Sequence, residues 1–285
     1  ILELQQVSKT FPKSNFTLKN VTFSLPYGAI IGFVGENGAG KTTTIGCILN
    51  TITKDSGTVK LFGQEMLDAD TILREKIGVV YDGDNFPPYW TAKQLSEVME
   101  GLYTQWDNSL FQKYLEDFQL PAKQKIKHYS RGMTMKLAIA AALAHHPELL
   151  ILDEATSGLD PIMRDEMLDV FLEFVQEENH SILLSSHITS DLEKVADYIT
   201  FIHNGKLIMT VSKNDLAYNY AVMRCKESQF LTVDPNDILA YRKRDFQIDV
   251  LVSNGKEAQR KYKGVVIDHV SVDEIMLLLV KGERV

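Results

Sequence analysis

The chain opens on short apolar runs broken by turn residues. ILELQQV, FTLKNVTFSL and AIIGFVG, all within residues 1–35, read as strands, and Pro26-Tyr27-Gly28 reads as a turn between the second and third. The third run passes into GENGAGKTTTIGCILN, where a glycine-rich loop gives way to helical spacing. KIGVVY, ending at Tyr81, is a further apolar strand. Residues 91–145 are helix-rich: in TAKQLSEVMEGLY the spacing puts Leu95, Val98, Met99 and Leu102 on one helix face, and MKLAIAAALAHH predicts a buried helix. ELLILDE is a short continuous apolar strand, of the kind a parallel sheet covers on both faces. A helix over about 161–178 follows, then the strand SILLSSH, the helix SDLEKVAD, and a hairpin YITFIHNGKLIMT turning at Asn204-Gly205. Strand and helix alternate, which predicts an α/β domain with a mostly parallel sheet.

From about residue 214 the pattern changes. FLTVD, FQIDVLVSNG and GVVIDHV read as strands and VDEIMLLLVKG as a final helix. The expectation is a first domain over 1–214 and a small C-terminal α+β appendage over 215–285, packed on the core or standing apart from it.

Composition narrows the class. At 285 residues and 45% hydrophobic, the chain is long enough to bury about three quarters of its unfolded surface. The charged share of 24% is that of an ordinary soluble domain, and no repeat or low-complexity stretch is visible. A net charge of −8 argues against a nucleic-acid surface, because phosphate backbones are gripped by Lys and Arg. Cys47 and Cys225 are far apart and match no metal-ligand spacing, so two reduced thiols of a cytosolic protein are expected. No apolar run approaches the ~18 residues of a membrane span, and ILELQQVSKTF lacks the basic start and apolar stretch of a signal peptide. RKR at 242–244 and the basic stretch 256–263 read either as a solvated face or as contacts for anionic lipid head groups.

The chemistry concentrates at two places. Residues 35–42 read G-E-N-G-A-G-K-T, the phosphate-loop pattern G-x-x-x-x-G-K-[ST]. Its glycines let backbone N–H groups turn onto phosphate oxygens, Lys41 supplies a positive charge for the β- and γ-phosphates, and Thr42 a hydroxyl for Mg²⁺. The helix that starts there adds its positive dipole end. Chance would produce the pattern in roughly one chain of this length in a hundred, and its place between an apolar strand and a helix is the one the mechanism requires. LLILDE then ends a strand on two acids. Asp153 can hold Mg²⁺ through water, and Glu154 can orient or deprotonate an attacking water.

Together these motifs resemble the nucleotide-binding subunit of ABC transporters over about residues 1–215. YSRGM (129–133) resembles the family's signature loop. Ser157, Gly158, Leu159 and Asp160 resemble its D-loop. His187 sits where the family has its switch histidine, and Phe11 where it stacks an aromatic ring on adenine. The resemblance implies a P-loop NTPase core of the RecA-like type, with an N-terminal antiparallel β layer and a helical subdomain over about 86–147. It implies ATP and Mg²⁺ as cofactors, with nucleotide held by Phe11, Gly35, Glu36, Asn37, Gly38, Ala39, Gly40, Lys41, Thr42 and Thr43. Thr42, Asp82 and Asp153 would serve the metal, and Lys41, Glu154 and His187 would serve catalysis. Two subunits, identical or not, would meet head to tail, and Ser130 and Gly132 would then reach the γ-phosphate bound by the other. The pore would be a separate membrane permease, so the chain would lie on the inner face of the cell membrane. The form of YSRGM and the appendage resemble Gram-positive exporters of antimicrobial or cytolytic peptides, the phenol-soluble modulin exporter type among them.

The sequence departs from the family where Asp82 stands in place of the usual Gln, and where Arg131 and Tyr129 stand in place of Gly and Leu. Asp82 either replaces the amide harmlessly, accepting from a metal-bound water, or makes metal binding tighter and more pH-sensitive. The loop GDNFPPYWT follows, and Phe86, Tyr89 and Trp90 are either contacts for the membrane subunit or part of the subdomain core. Two other functions use the same motifs: a soluble ABC-type ATPase acting on ribosomes or DNA, and a nucleotide sensor that does not hydrolyse. One cassette, no heptad run and an acidic balance argue against the first, and the intact Glu154 against the second.

Overall fold

The computed structural model describes residues 1–14, 16–67, 70–83 and 85–283. The strands are β1 (Leu2–Phe11), β2 (Phe16–Leu25), β3 (Ile30–Val34), β4 (Ser56–Leu61), β5 (Gln64–Glu65), β6 (Ile77–Val80), β7 (Leu149–Asp153), β8 (Ser181–Ser186), β9 (Tyr198–His203), β10 (Lys206–Ser212), β11 (Ala221–Cys225), β12 (Ala240–Lys243), β13 (Ile248–Val252) and β14 (Val266–His269). The helices are α1 (Lys41–Ile48), α2 (Thr71–Glu75), α3 (Ala92–Leu102), α4 (Asn108–Asp117), α5 (Arg131–Leu143), α6 (Pro161–Phe174), α7 (Thr189–Val195), α8 (Lys213–Tyr218), α9 (Glu227–Phe230), α10 (Gly255–Lys261) and α11 (Val272–Lys281). The fold is α/β.

One large sheet runs in the order β5-β4-β1-β2-β10-β9-β3-β8-β7-β6. Its β9-β3-β8-β7-β6 part is parallel, while β1, β2, β4 and β5 pair antiparallel and form the N-terminal layer. The parallel strands are buried on both faces, and their period of two sorts the side chains. Ile30, Val34, Leu150, Leu152, Ile182 and Leu184 face the core shared with α5, α6 and α7. Ile31, Phe33, Leu149, Ile151 and Leu183 face the core shared with α1 and the antiparallel layer. The β9–β10 hairpin turns at Asn204 and Gly205, with φ of 47° and 71°, the left-handed pair expected of that dipeptide.

Residues 92–144 pack a third apolar cluster around Leu95, Phe111, Leu115 and Leu137. The face of α3 differs from the sequence expectation. Ala92, Leu95 and Ser96 are buried with Met99 packed beside them, whereas Val98 and Leu102 are exposed. Thr91 caps the helix in a reciprocal box with Gln94, and this start sets the stripe 92, 95, 96, 99 inward.

A second, antiparallel sheet has the order β12-β13-β11-β14. One face, with Val222, Ala240 and Leu251, joins Ile275 and Leu278 of α11 in the first core, and the other covers Met223, Val250 and Tyr262. The Val272 N–H donates to Glu193 Oε1 at 2.6 Å, tying the start of α11 to α7. FLTVD is not a strand. Its Phe230 ends α9, and Asp234 caps a 3₁₀ turn with Pro235 at its first position. A Pro there removes the ladder donor a strand needs. The buried Asp249 takes Arg224 at 3.0 Å and Arg244 at 2.7 Å, and Lys261 meets Asp234 at 3.1 Å and Asp237 at 2.8 Å. Part of each basic stretch is therefore used internally. No helix among the described residues is long and apolar enough to cross a membrane.

Candidate functional site

The parallel strands β3 and β7 end at one cleft, and β8 ends beside it at His187, which reaches the cleft through Glu154. Beyond β3 the chain runs through residues 35–40 into α1, whose first turn carries Lys41, Thr42 and Thr43. The loop has little room. A Cβ on Gly35 would lie 2.4 Å from the Ile202 carbonyl oxygen, while Gly38 and Gly40 have φ of 80° and 117°. The Ala39 N–H donates to the Glu36 carbonyl at 3.0 Å, and the Gly205 N–H to the Ala39 carbonyl at 2.9 Å, so the hairpin braces the loop. β7 delivers Asp153 and Glu154, and β8 delivers His187.

These parts surround a cleft of about 710 Å³, lined by Phe11, Asn37, Gly38, Gly40, Lys41, Thr42, Thr43, Asp82, Asp153 and Glu154, with Ser14, Phe16 and Tyr81. Thr42 Oγ1 donates to Asp153 Oδ2 at 2.8 Å. The other oxygen, Asp153 Oδ1, is buried without a hydrogen-bond partner among the described residues, as is Glu154 Oε1. Lys41 is buried and donates to the carbonyls of Gly35 at 2.7 Å and Glu36 at 3.4 Å. Its ammonium also lies 3.2 Å from Glu154 Oε1. Glu154 Oε2 lies 2.6 Å from His187 Nδ1. Burial and the charge of Asp153 push the Tyr81 phenol up, so it stays neutral beside the acids.

This arrangement suits a polyanion accompanied by a hard cation. The N-terminal amides of α1 and the Lys41 ammonium offer positive charge to phosphates. Thr42, Asp153 and Asp82 are oxygen donors at the same rim. Among the described residues no group of three or more His, Cys, Asp or Glu is arranged to cage a metal. The oxygens of Thr42 and Asp153 would fit Mg²⁺, which keeps its waters and takes most of its ligands from a substrate's phosphates. Phe11 and Phe16 pair across β1 and β2 with ring centroids 6.4 Å apart, and Lys9 Nζ stands 5.7 Å over the Phe11 ring.

The remaining candidate residues lie outside this cleft. Ser130 caps α5, its Oγ accepting from the Met133 N–H at 3.2 Å, and Gly132 packs so tightly on α6 that a Cβ would meet Met163 Cε at 2.6 Å. Ser157 donates its N–H to the Glu154 carbonyl, Gly158 has a φ of 71°, Leu159 is buried, and Asp160 caps α6. Phe86 and Trp90 are half-buried against the helical cluster, while Tyr89 is exposed with Lys127 Nζ 5.0 Å over its ring. Asp84 of the same loop lies outside the described residues. Sequence reasoning missed Phe16 and Tyr81. The register partner of Phe11 and the residue before Asp82 were the signals that could have found them.

A family model described as "ABC transporter" matches residues 18–157. The chain is 32% identical over 238 residues to the bacitracin transport ATP-binding protein of Bacillus licheniformis, covering 82% of this chain and 76% of that protein. It is 34% identical over 219 residues to a lantibiotic transport ATP-binding protein of Streptococcus pyogenes, covering 73% of this chain and 90% of that one. A solved ATP-binding subunit of an ABC transporter superposes with a TM-score of 0.69 at 26% identity, over 76% of this chain and 91% of that one. A dimeric ATP-binding cassette bound to ADP and phosphate shares the fold, with a TM-score of 0.68 at 23% identity over 75% and 99%.

Proposed function

The chain belongs to the ATP-binding subunits of ABC transporters and is an ATPase, and from that premise we propose which of its residues do the work and what it moves. The buried Asp153, whose Oδ2 accepts from the Thr42 hydroxyl at the start of α1 while its Oδ1 has no partner among the described residues, is the observation that carries the assignment. Thr42 and Asp153 would hold the Mg²⁺ that accompanies ATP, while Asp82 at the rim is engaged by Arg131. The ion supplies charge neutralisation at the β- and γ-phosphates.

In this reading the amides of residues 35–43 and the Lys41 ammonium grip the triphosphate, and Phe11 lies on the adenine. Lys41 turns from the carbonyls of Gly35 and Glu36 and from the Glu154 carboxylate to the phosphate oxygens, since the triphosphate carries more negative charge than any of these. Glu154 aligns the attacking water, accepts its proton and is itself oriented by His187. Such a site works by positioning and electrostatics rather than by covalent chemistry.

Cassettes of this family pair as dimers and work with membrane permease subunits. For this chain we assign Ser130 and Gly132 to the nucleotide held by a second copy or a related cassette. Tyr89, exposed beside half-buried Phe86 and Trp90, is assigned to the docking of a separate permease at the inner face of the membrane. Residues 1–214 form the ATPase unit, with its helical subdomain over about 86–147, and 215–285 an appendage. The apolar cluster running from Leu216 and Val222 to Leu278 supports an appendage packed on that unit. The bacitracin and lantibiotic relatives support peptide antibiotics, or related membrane-active peptides, as the exported cargo.

The test is Mg²⁺-dependent phosphate release and labelled-ATP binding by the full chain with a second cassette. Lys41→Ala is expected to abolish both. A Lys41→Ala chain that still binds ATP as wild type does would overturn the site assignment.

A further inference from the structure

Asp82 and Arg131, two of the positions where this chain departs from its family pattern, meet in space although 49 residues separate them. Arg131 Nη2 donates to Asp82 Oδ1 at 2.7 Å. Each charge is badly placed for its own element. Arg131 opens α5, where a cation faces the positive end of the helix dipole. Asp82 stands on the rim of the cleft beside Asp153 and Glu154, where it adds a third carboxylate. The pair offsets both penalties at once. A third element joins them: a Cβ on Gly158 would lie 2.7 Å from Arg131 Cζ and Nη1, so the guanidinium rests on the loop between Glu154 and α6. Asp82 lines the nucleotide cleft, and both residues line a neighbouring cleft of about 460 Å³ with Phe86, Tyr129 and Met135. The ion pair therefore stands between the two clefts.

We propose that Asp82 and Arg131 are a matched pair of positioning residues that sets the start of α5 relative to the nucleotide cleft of the same chain. The proposal rests on the assignment of Ser130 and Gly132 to a partner-bound nucleotide. Those two residues flank Arg131, so the pair decides how they are presented. Neither Asp82 nor Arg131 touches the reacting atoms in this role. Their side chains are 43% and 54% exposed, so the pair contributes little to the stability of the fold, and its loss is read in geometry instead.

A double-mutant cycle in the full chain tests this, with Asp82→Ala, Arg131→Ala and both together. ATP hydrolysis is followed over a range of protein concentrations, separating kcat from the KM for ATP, with thermal melts to show that the fold is kept. Each single change is expected to lower kcat about two- to five-fold, the size of one exposed ion pair. The double variant should be no worse than either single one, and the KM of Arg131→Ala should be unchanged. Arg131→Lys should keep most of the activity. The non-additivity should vanish in 1 M salt, where the screening length falls to about 3 Å. Effects that multiply in the double variant, or a raised KM with unchanged kcat in Arg131→Ala, overturn the pair. Wild-type chain without Lys41-dependent hydrolysis overturns the reading of the site, and the pair with it.

Discussion

Glu154 and His187 are locked to one another: Nδ1 of the imidazole lies 2.6 Å from Oε2 of the carboxylate, and the His187 backbone N–H reaches the same oxygen at 3.3 Å. The opposite oxygen of Glu154 faces Lys41 at 3.2 Å. The residue is held in a left-handed conformation, with a φ of 55°, and its N–H donates to the Ser185 carbonyl at 2.9 Å. That backbone costs a non-glycine residue of order 1 kcal/mol, and such strain clusters where geometry serves function.

Replacing Glu154 by Gln keeps the shape and removes the charge that would accept a proton from water. ATP binding should survive while phosphate release falls by about 10²- to 10⁴-fold, the usual worth of a general base. ATP-bound dimers should then accumulate, visible by light scattering with Mg²⁺ and ATP. A Gln variant releasing phosphate within tenfold of wild type would remove Glu154 from that role.

The phosphate loop offers a second test, in which space and backbone conformation can be separated. At Gly35 a Cβ would meet the Ile202 carbonyl oxygen at 2.4 Å and Ile202 Cγ2 at 2.9 Å. Both belong to β9, so Gly35→Ala must push the loop away from the sheet and its amides away from the phosphates. A loss of about 1–3 kcal/mol in stability is expected from the overpacking, with ATP affinity down tenfold or more. Around a Cβ on Gly38 nothing among the described residues lies within 4 Å, and the constraint is the φ of 80°. Gly38→Ala should cost about 1–2 kcal/mol through strain alone. Urea unfolding and nucleotide titration on the two variants separate the causes: equal affinities would show that close approach to β9 does not set the loop.

The parts of this fold that the sequence made legible are those where one local rule acts without competition. β3, β7 and β8 are buried on both faces, so their apolar runs had no polar side to confuse them, and Asn204-Gly205 names its own turn. The phosphate loop was readable because each residue's task fixes its type. FLTVD fits a strand as five residues of mixed polarity, but the Asp234-Pro235 step that ends the run favours a capped 3₁₀ turn instead. On α3 the apolar residues Val98 and Leu102 suggested one face, but the Thr91 cap and the small residues Ala92 and Ser96 define the face that packs. No local rule could have joined Asp82 to Arg131, because their meeting depends on how the β6–α3 loop and the start of α5 are placed by the whole sheet.

Away from the cleft, His145 provides a pH handle. It is 3% exposed, stacks on Tyr103 with centroids 4.1 Å apart, and places Nε2 3.2 Å from the Ile77 carbonyl and Nδ1 3.4 Å from that of Ala141. Burial lowers its pKa from 6.5. The two carbonyls and Glu75 oppose the shift, and His146 adds to it. A histidine whose folded pKa is depressed binds fewer protons folded than unfolded, so its contribution is intact above about 6.5 and is lost as the pH falls below that. His145→Phe keeps the stacked ring and cannot titrate. It also loses the ring N–H that donates to one of the two carbonyls, which should cost roughly 1 kcal/mol at pH 7.5. Between pH 7.5 and 5.5 the variant should lose less stability than wild type, narrowing or reversing that gap. Urea midpoints at the two pH values measure it, and since the other histidines are common to both proteins, an equal fall in both would mean that His145 does not carry the acid sensitivity.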